Sequence, residues 1–530
     1  MVNGSAPKGS RLTASPRRDS LRRNIGYPAR RFNRRVGAGP RGVARNRIAP
    51  AGETPARVPG ATQGDNSMAT SVRIAVIGAG SATFSLGLVK DLCLTENLEG
   101  SEVAFMDIDA ERLAAVTKMA ARYTAEVGAD LRFEQTTVRA EALRDCDFVI
   151  NTAMVQSHHH QRDMRELMEK HGYYYRGVSA GSFYQFRLMM DAARDMEAIC
   201  PQAWLIQSGN PVFDGCTLMT RETEIKVCGL CHGHYGYHRI ARVLGLDLGR
   251  VGFQAPGVNH CIWMTHFLFD GGDAYPLIDE WIATKGEEYW NTHVADGTHD
   301  IQLSRGAVHQ YRMYGLFPIG DSPRSGGWWY HADINTKKWW FGEPYGGPDT
   351  HLARPVHVER LEERLAQIQA ASGDPGAKMT ELFGTERTRE QQVPIIDALT
   401  NDVEGQFQVN VPNNGALPGV ADDVVVEVPA VINGKGIQPL GVDPLPKKIM
   451  LEQLLPTILR MERGLEAYRT GDRSMLLFNA LENQQTRSYQ QAAAALDELL
   501  AQPENEELAA HFSYPWPRGH ESVYVDGGRN

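Results

Sequence analysis

Apolar positions fall into short runs whose rhythm changes about halfway along the chain. Val72 to Ile77 is a short apolar, β-rich run, the pattern of a buried strand. A glycine turn follows, and from Phe84 to Leu92 the apolar residues take helical spacing. "EVAFMD", ending at Asp107, reads as a second strand, with a helix from Ala110; "CDFVINTA" and "AWLIQSGNP" read as further buried strands. Strands alternating with helices predict an α/β fold, a Rossmann-like doubly wound parallel sheet. After about residue 250 the runs "CIWMTHFLFD" and "VVVEVPAVI" read as strands among longer helical stretches. Leu451, Leu454, Leu455, Ile458, Met461 and Leu465 keep helical spacing, with Pro456 expected to kink that helix. The expected organisation is a disordered basic tail over 1–67, a Rossmann-like domain over 68–255, a second α+β domain over 256–505 and a C-terminal tail over 506–530.

Composition narrows the partners. Residues 1–67 carry fourteen Lys/Arg against three Asp/Glu, so the overall net charge of −9 conceals a markedly acidic remainder. An acidic body excludes nucleic acid as the expected partner, because phosphate neutralisation needs a basic face. No apolar run approaches the roughly 20 residues needed to span a bilayer. The tail is rich in Arg, Pro, Gly and Ala and lacks apolar periodicity, which predicts disorder. Its paired arginines precede no apolar segment, which argues against a secretory signal; a transit peptide is the alternative to an extension upstream of a start at Met68. Seven cysteines, an odd count in a long chain, fit a reduced cytoplasmic protein.

Two stretches carry chemistry. In "GAGSATF", Gly78 permits a tight turn and Gly80 lets backbone approach a pyrophosphate at a helix N-terminus. Ser81, Ala82, Thr83 and Phe84 complete the candidate nucleotide loop, with Thr83 where a third glycine would stand. Asp107, ending the next strand, is placed for a ribose hydroxyl, and an acid there favours NAD over NADP. The alternative is a plain strand-to-helix turn. In "GLCHGHYGYH", Cys228 and Cys231 form a CxxC. A structural zinc site would need a second pair, and a redox dithiol would need a thioredoxin-like setting. Cys228 reads as a buried hydrophobe, whereas Cys231 falls at a strand end, where doubly wound proteins bind ligands. With His260 of "APGVNHCIW" it would make an open, borderline-soft site for a divalent cation. The alternative is a buried cysteine and a hydrogen-bonded histidine.

From about Arg73 to about residue 490 the chain resembles glycoside hydrolase family 4, through "VIGAGSATF", "DIDAERL", "FVINTA", "SGNPV", "GLCHG", "GVNH", "FPIGDSPR" and "VPNNGALPG…VVVEVPAV" in order. The resemblance implies a glycosidase that uses NAD and a divalent metal, usually Mn²⁺, outside the two-carboxylate scheme of sugar hydrolysis. It implies Cys231 and His260 as metal ligands and Asn210 as a sugar contact. His232, following the cysteine, looks like the branch acting on non-phosphorylated α-glycosides, and "FPIGDSPRSGGWWYH" like its α-glucosidase or α-glucuronidase members, with α-galacturonidase and α-galactosidase as further options. Asp321 takes the place of a proposed base; relatives with an Asp acid or a Tyr base set no template for His232 and Asp321.

The implied chemistry is an elimination. Hydride leaves carbon 3 for NAD⁺, which acidifies the carbon-2 proton; a cation steadies the enolate, a base takes the proton, and the glycosidic oxygen leaves. Water adds and the hydride returns, so there is no net redox. His232 is the candidate to assist the leaving oxygen, with a plain loop histidine as the alternative, while His234 and His238 read as structural. Asp321 is the candidate base, its alternative an Asx turn in "IGDSP". Arg324 is a candidate substrate contact, Trp328 and Trp329 are candidate sugar platforms, and Tyr330 is the next candidate base. The remaining expectations are a small carbohydrate substrate, no membrane, and a homodimer or homotetramer. The reading from a different class is an NAD-dependent polyol or hydroxy-acid dehydrogenase.

Overall fold

The computed structural model describes residues 69–512 except 175–176, 181, 298, 326–332 and 349. The basic tail and the Trp328, Trp329 and Tyr330 expectations lie outside the described residues.

Six parallel strands form the first half: β1 (Arg73–Ile77), β2 (Glu102–Met106), β3 (Arg132–Thr136), β4 (Phe148–Asn151), β5 (Trp204–Gln207) and β6 (Lys226–Gly229). Their order is β3-β2-β1-β4-β5-β6, the doubly wound arrangement expected from the alternating pattern. β1 and β4 lie inside the sheet, which is why their centres are apolar on both faces; Ile74, Ala75, Val76, Val149 and Ile150 are fully buried. β3 closes one edge and is correspondingly polar. The helix Ala110–Val127 starts where the Asp109 side chain accepts from the Arg112 N–H at 3.0 Å and ends at Gly128, in left-handed conformation with φ 74°.

The sheet does not stop at β6. Strand Gly405–Pro412 pairs antiparallel with it through Asn410 opposite Gly229, and Val425–Asn433 pairs with that strand over its full length. Gly257–Val258, Cys261–Met264 and Phe317–Ile319 continue the same surface, and Gly436–Pro439 pairs with Val425–Asn433, giving one 12-stranded sheet among the described residues. The second half therefore extends the first half's sheet as well as packing against it.

Local expectations shift in three places. "CIWMTHFLFD" divides at Thr265, whose N–H bonds Gln254 O at 2.8 Å: Cys261–Met264 joins the large sheet, and His266–Phe269 a separate 3-stranded one. The Pro456 kink is realised as a π-helical turn over Met450–Leu454, after which Pro456 sits in the first turn of Leu455–Thr470, where its missing N–H costs no bond. That wide turn breaks the apolar spacing and leaves Leu451 half exposed. The expected tail from residue 506 starts too early: Glu506–His511 is a helix, and Leu508 and Phe512 are buried with Leu496 and Leu499, because two apolar side chains suffice to hold a short amphipathic turn on the core. Among the described residues no helix is long and apolar enough to cross a membrane.

Candidate active site

The nucleotide loop leaves β1 at its carboxyl end. Gly78 has φ 88°, and a Cβ there would stand 2.6 Å from the Ala153 backbone nitrogen. At Gly80 a Cβ would stand 2.7 Å from the Asp107 carboxylate, whose Oδ2 accepts the Gly80 N–H at 2.8 Å while Oδ1 accepts the Asp109 N–H at 3.0 Å. Asp107 thus braces the loop through both of its carboxylate oxygens. The helix that follows, Ala82–Cys93, has no side-chain cap from Ser81 and no acid in its first turn. Its first N–H groups therefore suit an anionic group such as a pyrophosphate.

Three strands away, β6 delivers the histidine-rich loop. Cys228, within the strand, is fully buried, as expected of a core cysteine. Cys231 follows the strand end, and its Sγ accepts the Gly233 N–H at 3.4 Å. His234 is buried, its Nδ1–H donating to Cys231 O at 2.9 Å; burial depresses it to about 3, so it is a neutral structural brace. His238 accepts from Arg389 at 3.2 Å, and burial together with the Arg389 and Arg242 charges holds it at about 4. His232 differs. It is exposed and pairs with Glu390 at 3.0 Å, and that bond raises its pKa above the ordinary imidazole value.

His260 arrives from the opposite half, in the tight turn between Gly257–Val258 and Cys261–Met264, with φ 63°. A left-handed histidine is strained, and such residues collect where structure positions a functional group. Its Nε2 lies 3.1 Å from Asp321 Oδ2, the oxygen that also takes Arg324 Nη2 at 2.5 Å. The Ser322 hydroxyl accepts from Ile262 N at 2.7 Å and donates to Ile262 O at 2.9 Å, tying the Asp321 loop to the His260 hairpin. Gln302 pins the same loop through both backbone groups of Gly320, at 2.8 and 2.9 Å. Gly320, with φ 65°, packs on Gly233 so closely that a Cβ would stand 2.5 Å from Gly233 O. The glycines of the two loops let Cys231 and Asp321 approach backbone against backbone.

Behind them lies an acid the sequence reading missed. Glu427, on Val425–Asn433, is 1% exposed; its Oε2 accepts from Asn259 Nδ2 at 2.9 Å, and burial pushes it up to about 7. Its signal was visible as a charge inside "VVVEVPAV". Glu390 left no comparable mark, being one charge in a polar loop. Protein surrounding the Cys231 thiol, with the Glu427 and Asp321 carboxyls beside it, pushes it up to about 12. A thiol beside two carboxyls, one of them 3.1 Å from the His260 imidazole, is a donor set that suits a cation. Among the described residues no three His, Cys, Asp or Glu side chains form a closed cage. Cys231 and His260 fit an open site whose remaining positions fall to ligand oxygens.

A cleft of about 180 Å³ joins the nucleotide loop to the histidine-rich loop, lined by Ser81 and Phe84, by Thr152 and Asn210, and by Cys231, His232, Arg389 and Glu390; His260, Asp321 and Arg324 are not among its lining residues. Asn210 is exposed into it at the end of β5, where Gln207 holds the loop by donating to Gly209 O at 2.7 Å. A larger cavity of about 430 Å³, lined by Thr265, His266, Tyr275 and Tyr311 among others, includes none of the candidate residues.

Comparison with known proteins bears on both halves. The model of the family 4 glycosyl hydrolases matches residues 73–246, and that of the family 4 glycosyl hydrolase C-terminal domain matches residues 255–486. An alpha-galactosidase of Bacillus subtilis (strain 168) is 26% identical over 387 residues, covering 71% of this chain and 85% of its own. A "Probable 6-phospho-beta-glucosidase" of the same strain is 25% identical over 448 residues, covering 82% and 96%. A 6-phospho-alpha-glucosidase from gut microorganisms, solved with NAD and Mn²⁺, superposes with a TM-score of 0.67 at 18% identity, over 83% of this chain and 99% of its own.

Proposed function

The chain belongs to family 4 of the glycosyl hydrolases, and on that premise we propose that it cleaves neutral, non-phosphorylated α-glycosides, α-glucosides foremost, with NAD⁺ and a divalent cation, Mn²⁺ foremost, as its cofactors. One observation carries the reading: a single cleft unites the nucleotide loop with Cys231, and the Asp321 carboxylate stands 3.1 Å from His260, the other candidate donor. When bound, the two cofactors supply a reversible oxidation at carbon 3 and positive charge for the enolate that forms at carbons 2 and 3.

The chain's own groups do the rest. Gly78, Gly80 and the uncapped start of Ala82–Cys93 receive the pyrophosphate, with Asp107 at the ribose. Cys231 and His260 hold the cation, and Asn210 contacts a sugar hydroxyl. Asp321 removes the carbon-2 proton, its carboxylate held in place by Arg324 at 2.5 Å. His232, kept protonated to higher pH by Glu390, gives its proton to the departing glycosidic oxygen and afterwards draws one from the incoming water. Charge favours a neutral sugar: Arg324 is engaged by Asp321 and Arg389 lies over the Tyr235 ring and donates to His238, so neither is left to pair with a phosphate or uronate. Glu390, at the cleft wall, would repel either anion.

Nitrophenyl α-glucoside, α-galactoside, α-glucuronide and 6-phospho-α-glucoside, each supplied with NAD⁺, Mn²⁺ and thiol, test the substrate class. The neutral α-glucoside should be hydrolysed fastest, without accumulation of NADH, and solvent deuterium should enter carbon 2 of the released sugar. Preference for the phosphorylated substrate overturns the substrate assignment. Product free of deuterium at carbon 2 overturns the mechanism, and stoichiometric NADH makes the protein a dehydrogenase.

A further inference from the structure

We infer that Glu427, which forms no part of the cleft wall, is the buried counter-charge that sets how tightly this site holds its divalent cation. The inference rests on the proposed cation site at Cys231 and His260.

Position carries it first. Glu427 interrupts a continuous apolar strand whose other inner members, Val425, Val426 and Val428, are fully buried. By register it stands opposite Asn410 on one side and Gly257 on the other. Asn410 is opposite Gly229, two residues before Cys231, and Gly257 opens the hairpin that turns at His260. The carboxylate thus lies on one of the two strands that separate those presenting the candidate donors, directly beside the hairpin of His260 and one strand removed from the strand that leads to Cys231. An acid at this place in the sheet is shared between them, whereas an acid elsewhere on Val425–Asn433 would lie beside neither.

Its bonding carries it further. Oε2 accepts from Asn259 Nδ2 at 2.9 Å, and the Asn259 side chain also reaches the Cys231 thiol. One amide therefore links the carboxylate, the thiol and, through the chain, His260. The other oxygen, Oε1, is buried without a hydrogen-bond partner. The groups that act on the carboxyl most strongly are the amides of Asn259, Asn410 and Gln408 and the Asp321 carboxylate, with no lysine or arginine among them. A buried carboxylate needs an opposite charge nearby to be tolerated. A cation between Cys231 and His260 supplies that charge, and the carboxylate in turn strengthens the site's hold on it. Glu427 is thus a positioning residue, acting through Asn259 and through its field.

The test is metal binding, read apart from turnover. Metal-stripped protein holding NAD⁺ is titrated calorimetrically with Mn²⁺, and with Co²⁺ while the thiolate-to-cobalt absorption band is followed. Glu427→Gln keeps size and an acceptor for Asn259 but removes the charge. It should weaken Mn²⁺ and Co²⁺ binding by about 10- to 100-fold, the range for groups that support metal ligands, with NAD⁺ affinity unchanged. Glu427→Asp, which keeps the charge, should remain within severalfold of the wild type. Wild-type metal affinity in Glu427→Gln overturns the inference. So does a parallel loss of NAD⁺ affinity, which would make Glu427 a structural prop. A wild-type protein with no thiolate–cobalt band, or a band that survives Cys231→Ser, would instead overturn the cation site itself.

Discussion

Replacing Gly320 by alanine should damage this enzyme more than the same change at a glycine with similar backbone. At φ 65°, Gly320 occupies the left-handed region, where an L side chain costs roughly 1–2 kcal/mol. A Cβ would also stand 2.5 Å from Gly233 O and 2.6 Å from Gly233 Cα, nearly 1 Å inside the 3.4 Å of ordinary contact. Both neighbours are backbone, so no rotamer change relieves the overlap, and overpacking of this kind adds about 1–3 kcal/mol. Gly315 is the control: its φ is 84°, yet nothing lies within 4 Å of a Cβ there. Gly315→Ala should therefore lose about 1–2 kcal/mol and keep its turnover. Gly320→Ala should lose about 2–5 kcal/mol. The same overlap pushes the Asp321 loop away from Cys231 by close to 1 Å, and a shift of that size costs on the order of 100-fold in rate. Urea unfolding gives the first quantity, and kcat/KM on an aryl α-glycoside gives the second. Equal stabilities for the two variants, or an unaltered kcat/KM in Gly320→Ala, would refute the reasoning that glycines set the spacing between the two loops.

Cys231→Ser should abolish activity with NAD⁺ binding intact, whereas Cys228→Ser should stay active and lose about 1–3 kcal/mol of stability for burying a hydroxyl in β6; equal activity losses would point to a dithiol. Glu390→Gln removes the group that raises the His232 pKa, so the basic limb of the kcat/KM profile, where His232 loses its proton, should move to lower pH while the acidic limb stays. An unmoved basic limb would show that another group protonates the leaving oxygen.

What the sequence displayed was local. β1, β2, β4 and β5 were legible because interior parallel strands must be apolar on both faces. The nucleotide loop was legible because two glycines at fixed spacing follow the first of them. Cys231 could be separated from Cys228 because one falls inside β6 and the other after its end. The union of the halves into one sheet was hidden, since it hangs on Asn410 meeting Gly229 across the chain and no periodicity records a partner. The left-handed turn at His260 was hidden too, because Asn259 and His260 contain no glycine to mark it. Glu427 was visible as an acid in an apolar run, but its meaning depends on Asn259 and Cys231, which only the fold brings beside it.

The continuous sheet also dictates an order of events during synthesis. β6 ends the parallel half, and its next neighbour in the sheet reaches it through Asn410, 181 residues beyond Gly229. At typical ribosomal speeds that separation corresponds to about 10–40 s. Throughout that interval the emerging half presents a strand edge with unmade backbone bonds, destined for the interior and carrying a single charge, Lys226, where the permanent edge at β3 carries Arg132 and Glu134. A nascent chain in this condition is a natural client for chaperones. It also means that the nucleotide-binding half, cut out alone, would leave that edge uncovered, because the strand that meets it lies 181 residues further along the chain.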